Sequence, residues 1–232
     1  MKSVVSNIML CVSVLMAVCS CQSRYRIDGI TEAYGHEGST MYLVYFEKGV
    51  AHTIDSCIVN HGRFHMENTL EKPRYVLIWK NNQTVLPLII EDGNIEVKIT
   101  PEDANVSGTP QNEILYSFLH EKEQVDRLYD EINQKRIQLI RQKPIDVEAL
   151  NATRDSLSKV VVECESLVLD FFRTNWTEPA AQGVFMMLTW NLHDNVPRVI
   201  RNILDEAPED FMQDSYVIEM VSRVGYEKPV RQ

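Results

Sequence analysis

Short extended segments fill the first part of the chain. Their apolar and polar residues alternate, and they recur every roughly eight to twelve residues, a spacing typical of an all-β sandwich or barrel. Turn residues such as Gly62 and Asn81-Asn82 separate the segments and suit antiparallel hairpins. The predicted strands are Tyr25–Ile30, Met41–Glu47, His52–Val59, Arg63–Asn68, Arg74–Lys80, Thr84–Glu91 and Asn94–Thr100.

Three local features refine this prediction. The run Met41–Phe46 is apolar at every position, which predicts a strand covered on both faces. Pro73 and Pro87 cannot donate a ladder hydrogen bond, so we expect each at a strand start, at a sheet edge or at a bulge. We assign residues 25–108 to one β-rich domain.

After Gly108 the spacing of apolar residues changes from the alternation of a strand to the three-to-four-residue spacing of a helix. Thr109 and Pro110 predict a helix start, with a hydroxyl cap and proline at the first helical position. Lys143-Pro144 ends this helix, and Asp146 can cap a second one that continues to Phe171. The apolar stripe of the first helix is Val125, Leu128, Ile132 and Leu139. Two long helices joined by a short turn predict an antiparallel hairpin.

Shorter helices follow the hairpin. They are predicted at Glu178–Leu192 with Thr177 as its cap, at Pro197–Asp205 and at Pro208–Val224, before a frayed tail over residues 225–232. The predicted fold class is therefore α+β. An N-terminal antiparallel β sandwich or barrel precedes an all-helical region over residues 109–224.

The first 20 residues have the features of a secretory signal. Lys2 supplies a positive start, and the apolar run Ile8–Val18 is shorter than the roughly 20 helical residues that span a bilayer. The run leads into Val18-Cys19-Ser20-Cys21, which resembles a bacterial lipobox and places lipidation at Cys21. Cys19 is the rival site, but bulky Val18 precedes it where a small residue is needed. A plain cleaved secretory signal is the alternative.

A lipid on Cys21 predicts where in the cell the protein is located. Residues 21–24 form the tether, and the lipid makes the membrane a partner. Residues 22–26 contain no acidic side chain. By resemblance to known sorting rules, this favours the periplasmic face of the outer membrane in the cell envelope.

The charge balance excludes one class of function. The chain has 23 Lys and Arg residues against 33 Asp and Glu residues, for a formal net charge of −10. Binding to a nucleic acid needs a basic face that neutralises phosphates. We therefore predict no nucleic-acid partner.

Two cysteines remain once the signal and Cys21 are set aside. No Cys-x-x-Cys occurs, which excludes a thioredoxin-type dyad within these residues. Cys57 and Cys164 could form a disulfide in the periplasm. Both lie in apolar patterns, however, and such positions favour buried free thiols.

The search for catalytic and metal-binding motifs is negative. The chain lacks a phosphate loop, a Gly-x-Ser-x-Gly elbow and a His-Glu-x-x-His motif. His61 and His65 have a spacing that aligns two side chains only on a helix, and they flank a predicted turn. We predict no metal site, no cofactor and no catalytic residue. Trp79, beside Lys80, is the candidate ligand surface, because aromatic rings stack on sugars. The alternative is that the Trp79 ring only packs in the core.

An ordered series of short motifs carries a family resemblance. The motifs are Arg26-Ile27-Asp28-Gly29-Ile30, Met41-Tyr42-Leu43, Ile54 to Phe64, Pro87 to Ile95, and Val106 to Asn112. Over roughly residues 25–120 they resemble domain of unknown function 4369, the β-rich N-terminal domain of Bacteroidetes envelope lipoproteins. The resemblance implies that Asp55 and Ser56 are strand determinants, that Gly62 forms a turn and that Phe64 lies in the core.

The resemblance also bears on function. In that family the β domain and a helical segment often precede a thioredoxin-like module, and residues Val221 to Pro229 resemble its usual entry. Its Cys-x-x-Cys is not found here, so no thiol-disulfide activity is carried over. Our leading hypothesis is a non-catalytic binding or scaffold module that contacts a periplasmic protein partner. The alternative is an enzyme subunit or accessory in thiol-disulfide or glycan metabolism. A cysteine-based version of it would rely on Cys57 or Cys164 alone.

Overall fold

Alternating side chains build the strands of the first half of the chain. The structure is a computed structural model that describes residues 23–192 and 196–227. The predicted signal, Cys21 and most of the predicted tail lie outside these residues. The strands are β1 (Arg24–Thr31), β2 (Thr40–Glu47), β3 (Val50–Ile58), β4 (Arg63–Thr69), β5 (Arg74–Lys80), β6 (Gln83–Ile90), β7 (Gly93–Ile99) and β8 (Ala104–Ser107).

Two four-stranded sheets face each other. Their strand orders are β4-β1-β7-β8, which we call sheet A, and β3-β2-β5-β6, which we call sheet B. Each predicted strand is present with small shifts at its ends. The segment Ala104–Ser107 escaped prediction because it is short and only Val106 is buried. The sandwich and the α+β class are thus confirmed.

One strand pair runs parallel. β1 pairs with β7 in parallel register, Ile27 opposite Ile95, whereas the other pairings are antiparallel. Hairpin turns set the direction only of strands that are close in sequence. β1 and β7 are joined through the whole of sheet B, so turn signals carried no information about their direction.

The second half of the described chain is helical. Its helices are α1 (Pro110–Arg141), α2 (Val147–Asn175), α3 (Pro179–Thr189), α4 (Arg198–Glu206), α5 (Glu209–Met212) and α6 (Ser215–Val224). The long helices α1 and α2 form the predicted antiparallel pair, which we call the helical hairpin. The single helix predicted at Pro208–Val224 is wrong. It is interrupted at Asp214, whose carboxylate accepts the amide hydrogens of Tyr216 and Val217 and so begins α6.

The predicted helix caps have mixed outcomes. Asp146 caps α2 by accepting the Ala149 amide at 2.9 Å, as predicted. Thr109 precedes α1, but its hydroxyl accepts a hydrogen bond from the side chain of Asn112 at 2.8 Å instead of capping the backbone. Thr177 is not a cap, because α3 begins one residue later with Glu178 as its N-cap residue.

Asn112 joins the helices to the sandwich. It is fully buried, and its side chain both accepts the amide of Ile89 at 2.9 Å and donates to the carbonyl of Ile89 at 2.7 Å. β6 is an edge strand, so these bonds replace those of a missing neighbouring strand. Pro87 lies in this edge strand and Pro73 directly precedes β5, as predicted.

The apolar core is continuous from the sandwich into the bases of the helices. Sheet B is covered on its outer face by α3, where Gly183 lies so close to the ring of Tyr75 that an added Cβ would sit at 2.3 Å from it. This cover does not extend over all of β2. Met41 and Leu43 are fully buried while Tyr42 is 41% exposed, so the prediction of a strand covered on both faces is wrong.

Candidate binding groove

The outward face of sheet A forms an open groove of about 1090 Å³. Strand alternation sends Ile27 and Phe64 into the core and their neighbours outward. The register then sets polar side chains side by side. Asp28 lies between His65 on β4 and Glu96 on β7. The result is a polar surface on top of an apolar core.

Asp28 is the centre of the best-ordered part of the groove. His65 Nδ1 lies 2.8 Å from one carboxylate oxygen, and Arg26 Nε lies 2.9 Å from the other. Burial acts to raise the pKa of Asp28, but the hydrogen bonds from His65 and Arg26 outweigh it and hold that pKa below its usual value. All these side chains are well exposed, so the cluster contributes little to stability and stays open to solvent.

The next row of the groove has a different character. Ile30 lies between Arg63 on β4 and Lys98 on β7. Ile30 is 47% exposed, an apolar residue in a polar surface. Among the ion pairs of the described residues, none involves Arg63 or Lys98. This row therefore offers two cations, with an apolar contact between them, to a ligand.

A thiol borders the groove but is not activated. Cys57 is half-buried and free, as is Cys164 on α2. Burial, and to a lesser degree the carboxylate of Asp55, raises the pKa of the Cys57 thiol to about 11. Burial also raises the pKa of Cys164. Both thiols are free, as predicted, but each is only partly buried, so the prediction of buried thiols is wrong. A thiol with a raised pKa is a poor nucleophile at neutral pH.

The turn at one end of the groove is held by a carboxylate. Glu37 accepts the backbone amides of His61 and Gly62, each at 3.0 Å. The bond from Gly62, followed by that from His61, lowers the pKa of Glu37. Gly62 has φ +68°, which confirms its predicted role as a turn residue.

Of the other residues singled out by the family resemblance, Phe64 and Asp55 pack into or against the sandwich, whereas Ser56 lies in β3 with its side chain exposed. Phe64 is buried, as predicted, and its ring packs directly on Gly29, where an added Cβ would lie 2.1 Å from the ring. Asp55 lies in β3 and accepts a hydrogen bond from the hydroxyl of Tyr25 at 3.2 Å. Burial, together with this carboxylate, raises the pKa of Tyr25.

Trp79 lies away from this groove, on the outward side of sheet B. Its ring packs against Phe46 at 5.5 Å between centroids, and Phe46 in turn contacts Trp190 at 4.5 Å. The indole nitrogen of Trp79 is buried without a hydrogen-bond partner. Its role as a ligand surface stays a prediction.

Sequence reasoning missed the groove residues. A signal was present, because charged residues occupy alternate positions in Tyr25–Ile30 and in Arg63–Asn68. Which of them face one another depends on the pairing of β1 with β4 and β7. His61 and His65 do not lie together in a metal site, and the described part of the chain contains no group of three His, Cys, Asp or Glu side chains suited to a metal ion.

Fold and groove together define an α+β protein with a β sandwich and a helical hairpin. Residues 25–115 match the model of the family described as Domain of unknown function (DUF4369), which confirms the resemblance seen in the sequence. The groove lies entirely within this match. No curated protein matches the chain. Among the described residues, no helix is both long and apolar enough to span a membrane.

Proposed function

We propose that this protein is a non-catalytic binding module of the bacterial cell envelope, and that the groove on sheet A binds a polar ligand carrying an anionic group. The observation that carries the proposal is the row formed by Arg63, Ile30 and Lys98. It combines two cations outside any ion pair of the described residues with an exposed apolar contact. Cationic side chains that are not paired within the protein can form charge-assisted hydrogen bonds with an anionic ligand.

The non-catalytic part of the proposal is supported by the chemistry of the groove. Its thiol has a pKa near 11, so it is almost fully protonated at neutral pH. The imidazole of His65 is hydrogen-bonded to Asp28 at 2.8 Å, within an exposed cluster of paired charges. Such a surface binds through complementary charge and hydrogen bonds.

The location is proposed from the sequence. The lipobox-like Val18 to Cys21 supports a lipid on Cys21, and the absence of acidic side chains from residues 22–26 supports the periplasmic face of the outer membrane. β1 begins at Arg24, so the linking chain can extend at most about 10 Å. Under this proposal the sandwich lies close to the membrane surface.

The ligand proposal is tested by calorimetric titration with a panel of anionic oligosaccharides and carboxylate-bearing peptides. We expect one class to bind, and Arg63→Glu and Lys98→Glu each to weaken its binding by about tenfold or more, since each replaces an attraction by a repulsion. Lys159→Glu, an exposed lysine on α2, is the matched control and should bind as the parent does. Equal binding by all the variants would contradict the proposal.

The anchor is tested separately by metabolic labelling with an alkyne fatty acid in a bacterial host. We expect Cys21→Ser to abolish the label and Cys19→Ser to retain it. The reverse result would place the lipid on Cys19. A parent chain that takes up no label would remove lipid anchoring from the proposal.

A further inference from the structure

The helical hairpin extends well beyond the body of the protein. The buried residues of α1 are Asn112, Leu115, Tyr116 and Phe118, all near its start. From Glu121 to Arg141, a length of about 30 Å, no residue of α1 is buried. Two helices that meet only each other cannot cover their apolar stripes. The projecting part of the hairpin therefore keeps apolar side chains in water.

Four of the exposed apolar side chains lie on one side of the hairpin. Val147, Arg154 and Val161 recur every seven residues and so share one face of α2. Ile137 and Ile140 share a face of α1 by their spacing of three. A groove of about 540 Å³ is lined by Leu128 and Leu167 among others. Leu128 lies nine residues before Ile137 and so points about 180° away from it, which places this groove on the opposite side. We call the side that carries Ile137, Ile140, Val147 and Val161 the apolar face; Val161 is 43% exposed and Val147 is 64% exposed.

Charge is distributed unevenly along the hairpin. The tip, residues 132–154, carries five cations against two carboxylates; they are Lys135, Arg136, Arg141, Lys143 and Arg154, with Asp146 and Glu148. One of these carboxylates, Asp146, already caps α2. The stem, residues 121–131 and 155–170, carries nine carboxylates against three cations; they are Glu121, Glu123, Asp126, Asp130, Glu131, Asp155, Glu163, Glu165 and Asp170, with Lys122, Arg127 and Lys159. Glu165 and Asp170 of the stem are already paired with Arg198 and Arg173, which lie outside these ranges. The tip is thus positive, and the stem keeps a negative charge that is smaller than the count alone gives.

We propose that the apolar face docks on the same face of a second copy of this chain, with the two hairpins antiparallel. This arrangement forms a four-helix bundle in which each positive tip lies against a negative stem. A parallel arrangement would set tip against tip and stem against stem, with like charges in contact. Charge complementarity therefore favours a second copy of this chain as the partner, and it favours the antiparallel over the parallel arrangement of the two hairpins.

The available area is consistent with a dimer. Two helices, each about 10 Å wide and about 30 Å long, present a face of about 600 Å². Each partner in a standard stable interface buries about 800 Å². The face is slightly smaller than that, so we expect a reversible dimer whose strength falls with added salt.

The first test measures the mass of the chain from Gln22 onward by sedimentation equilibrium. We expect a dimer at micromolar concentrations. Val161→Glu should raise its dissociation constant by about tenfold or more, since a charge is placed in the apolar contact. Val162→Glu is the matched control. Val162 is the next residue, is 59% exposed and points about 100° away on the helix, so its variant should dimerise as the parent does.

The second test determines whether the two hairpins of the dimer run antiparallel. Asp130 lies seven residues before Ile137 and so shares its face, and it should meet Arg154 of the second copy. We expect Arg154→Glu and Asp130→Arg each to weaken the dimer and the double variant to restore it. Circular dichroism should show unchanged helix content in all of these variants.

Three results would overturn the proposal. One is a chain that stays monomeric at about 100 µM, well above the micromolar range of transient complexes. Another is a dimer unaffected by Val161→Glu. The third is a monomer that binds vesicles of anionic phospholipid through its tip, which would assign the face to a lipid surface. None of these results bears on ligand binding by the groove.

Discussion

Helix α2 passes through two regions of the molecule that differ sharply in packing. At its C-terminal end, Phe171 and Phe172 join an aromatic cluster with Phe118, Phe185 and Phe211. At its N-terminal end, Thr153, Leu157 and Val160 are its only buried residues before Val168, and they lie outside the main core, where α2 pairs with α1. The same apolar stripe therefore contributes to a multilayered core at one end and to a two-helix seam at the other.

The difference shows that periodicity and burial are separate properties. An amphipathic period requires only that one face of a helix be apolar. How deeply that face is buried depends on how many other elements pack on it. In the body, the sandwich and the short helices supply those elements, and in the hairpin α1 alone does. Truncating a buried side chain should therefore lower the stability by different amounts at the two ends of α2.

The largest effect is expected in the body. Phe172→Ala should lower the free energy of unfolding by about 3–5 kcal/mol, because it removes a fully buried ring from the aromatic cluster. Denaturant titration followed by tryptophan fluorescence measures this. Val162→Ala, at an exposed position of the same helix, should change the stability by no more than about 0.5 kcal/mol. Equal effects of the two changes would contradict the contrast drawn between the regions.

A smaller and local effect is expected in the hairpin. Leu157→Ala should cost about 2 kcal/mol, at the low end for such a change, because a two-helix seam can close around the gap. Hydrogen exchange read by mass spectrometry should show faster exchange over residues 121–163 and unchanged exchange in β1 to β7. Phe172→Ala should instead accelerate exchange in both regions. A Leu157→Ala variant that loosens the sandwich would show that the two regions unfold as one unit.

The thiols provide a chemical comparison of the same regions, since Cys57 lies in the sandwich and Cys164 in the hairpin. With the pKa of Cys57 near 11, its labelling by a thiol reagent at pH 8 should be about a hundredfold slower than in denaturant. Single-cysteine variants separate the two rates. The folded-state pKa is raised, so the stabilisation from Cys57 is complete below about pH 8.5, the unfolded value, and is lost as the pH rises through about 11. Rapid labelling of Cys57 at pH 8 would contradict a raised pKa and would support the alternative of a reactive thiol.

The smallest effect is expected in the exposed groove. Asp28→Asn should cost no more than about 1 kcal/mol at neutral pH, because its hydrogen bond with His65 and its ion pair with Arg26 are solvent-exposed. The pKa of Asp28 is lowered, so its contribution is present above about pH 3.9, the unfolded value, and is lost as the pH falls through the folded value. Urea titrations of the parent and the variant between pH 5 and pH 2 should therefore converge at low pH. A difference that grows as the pH falls would contradict this account.

Much of the fold was predictable from local patterns. The seven longer strands, the helical hairpin and the turn at Gly62 follow from alternation, spacing and the conformational freedom of glycine. The errors have local causes too. Asp214 splits the last helix because its carboxylate binds the amides that begin α6, and Thr109 fails as a cap because Asn112 takes its hydroxyl. A residue type indicates which hydrogen bonds it can make, but the competing partners decide which one it makes.

The sequence by itself determined the class of fold, the family resemblance over the β domain and the segregation of charge along the hairpin. These depend on residue type and spacing within single elements. Only the tertiary structure decided that Arg63, Ile30 and Lys98 form one row, that β1 runs parallel to β7 and that one face of the hairpin is left in water. Each of these depends on which strands and helices become neighbours. That choice is made by the packing of elements distant in sequence, about which a local pattern carries no information.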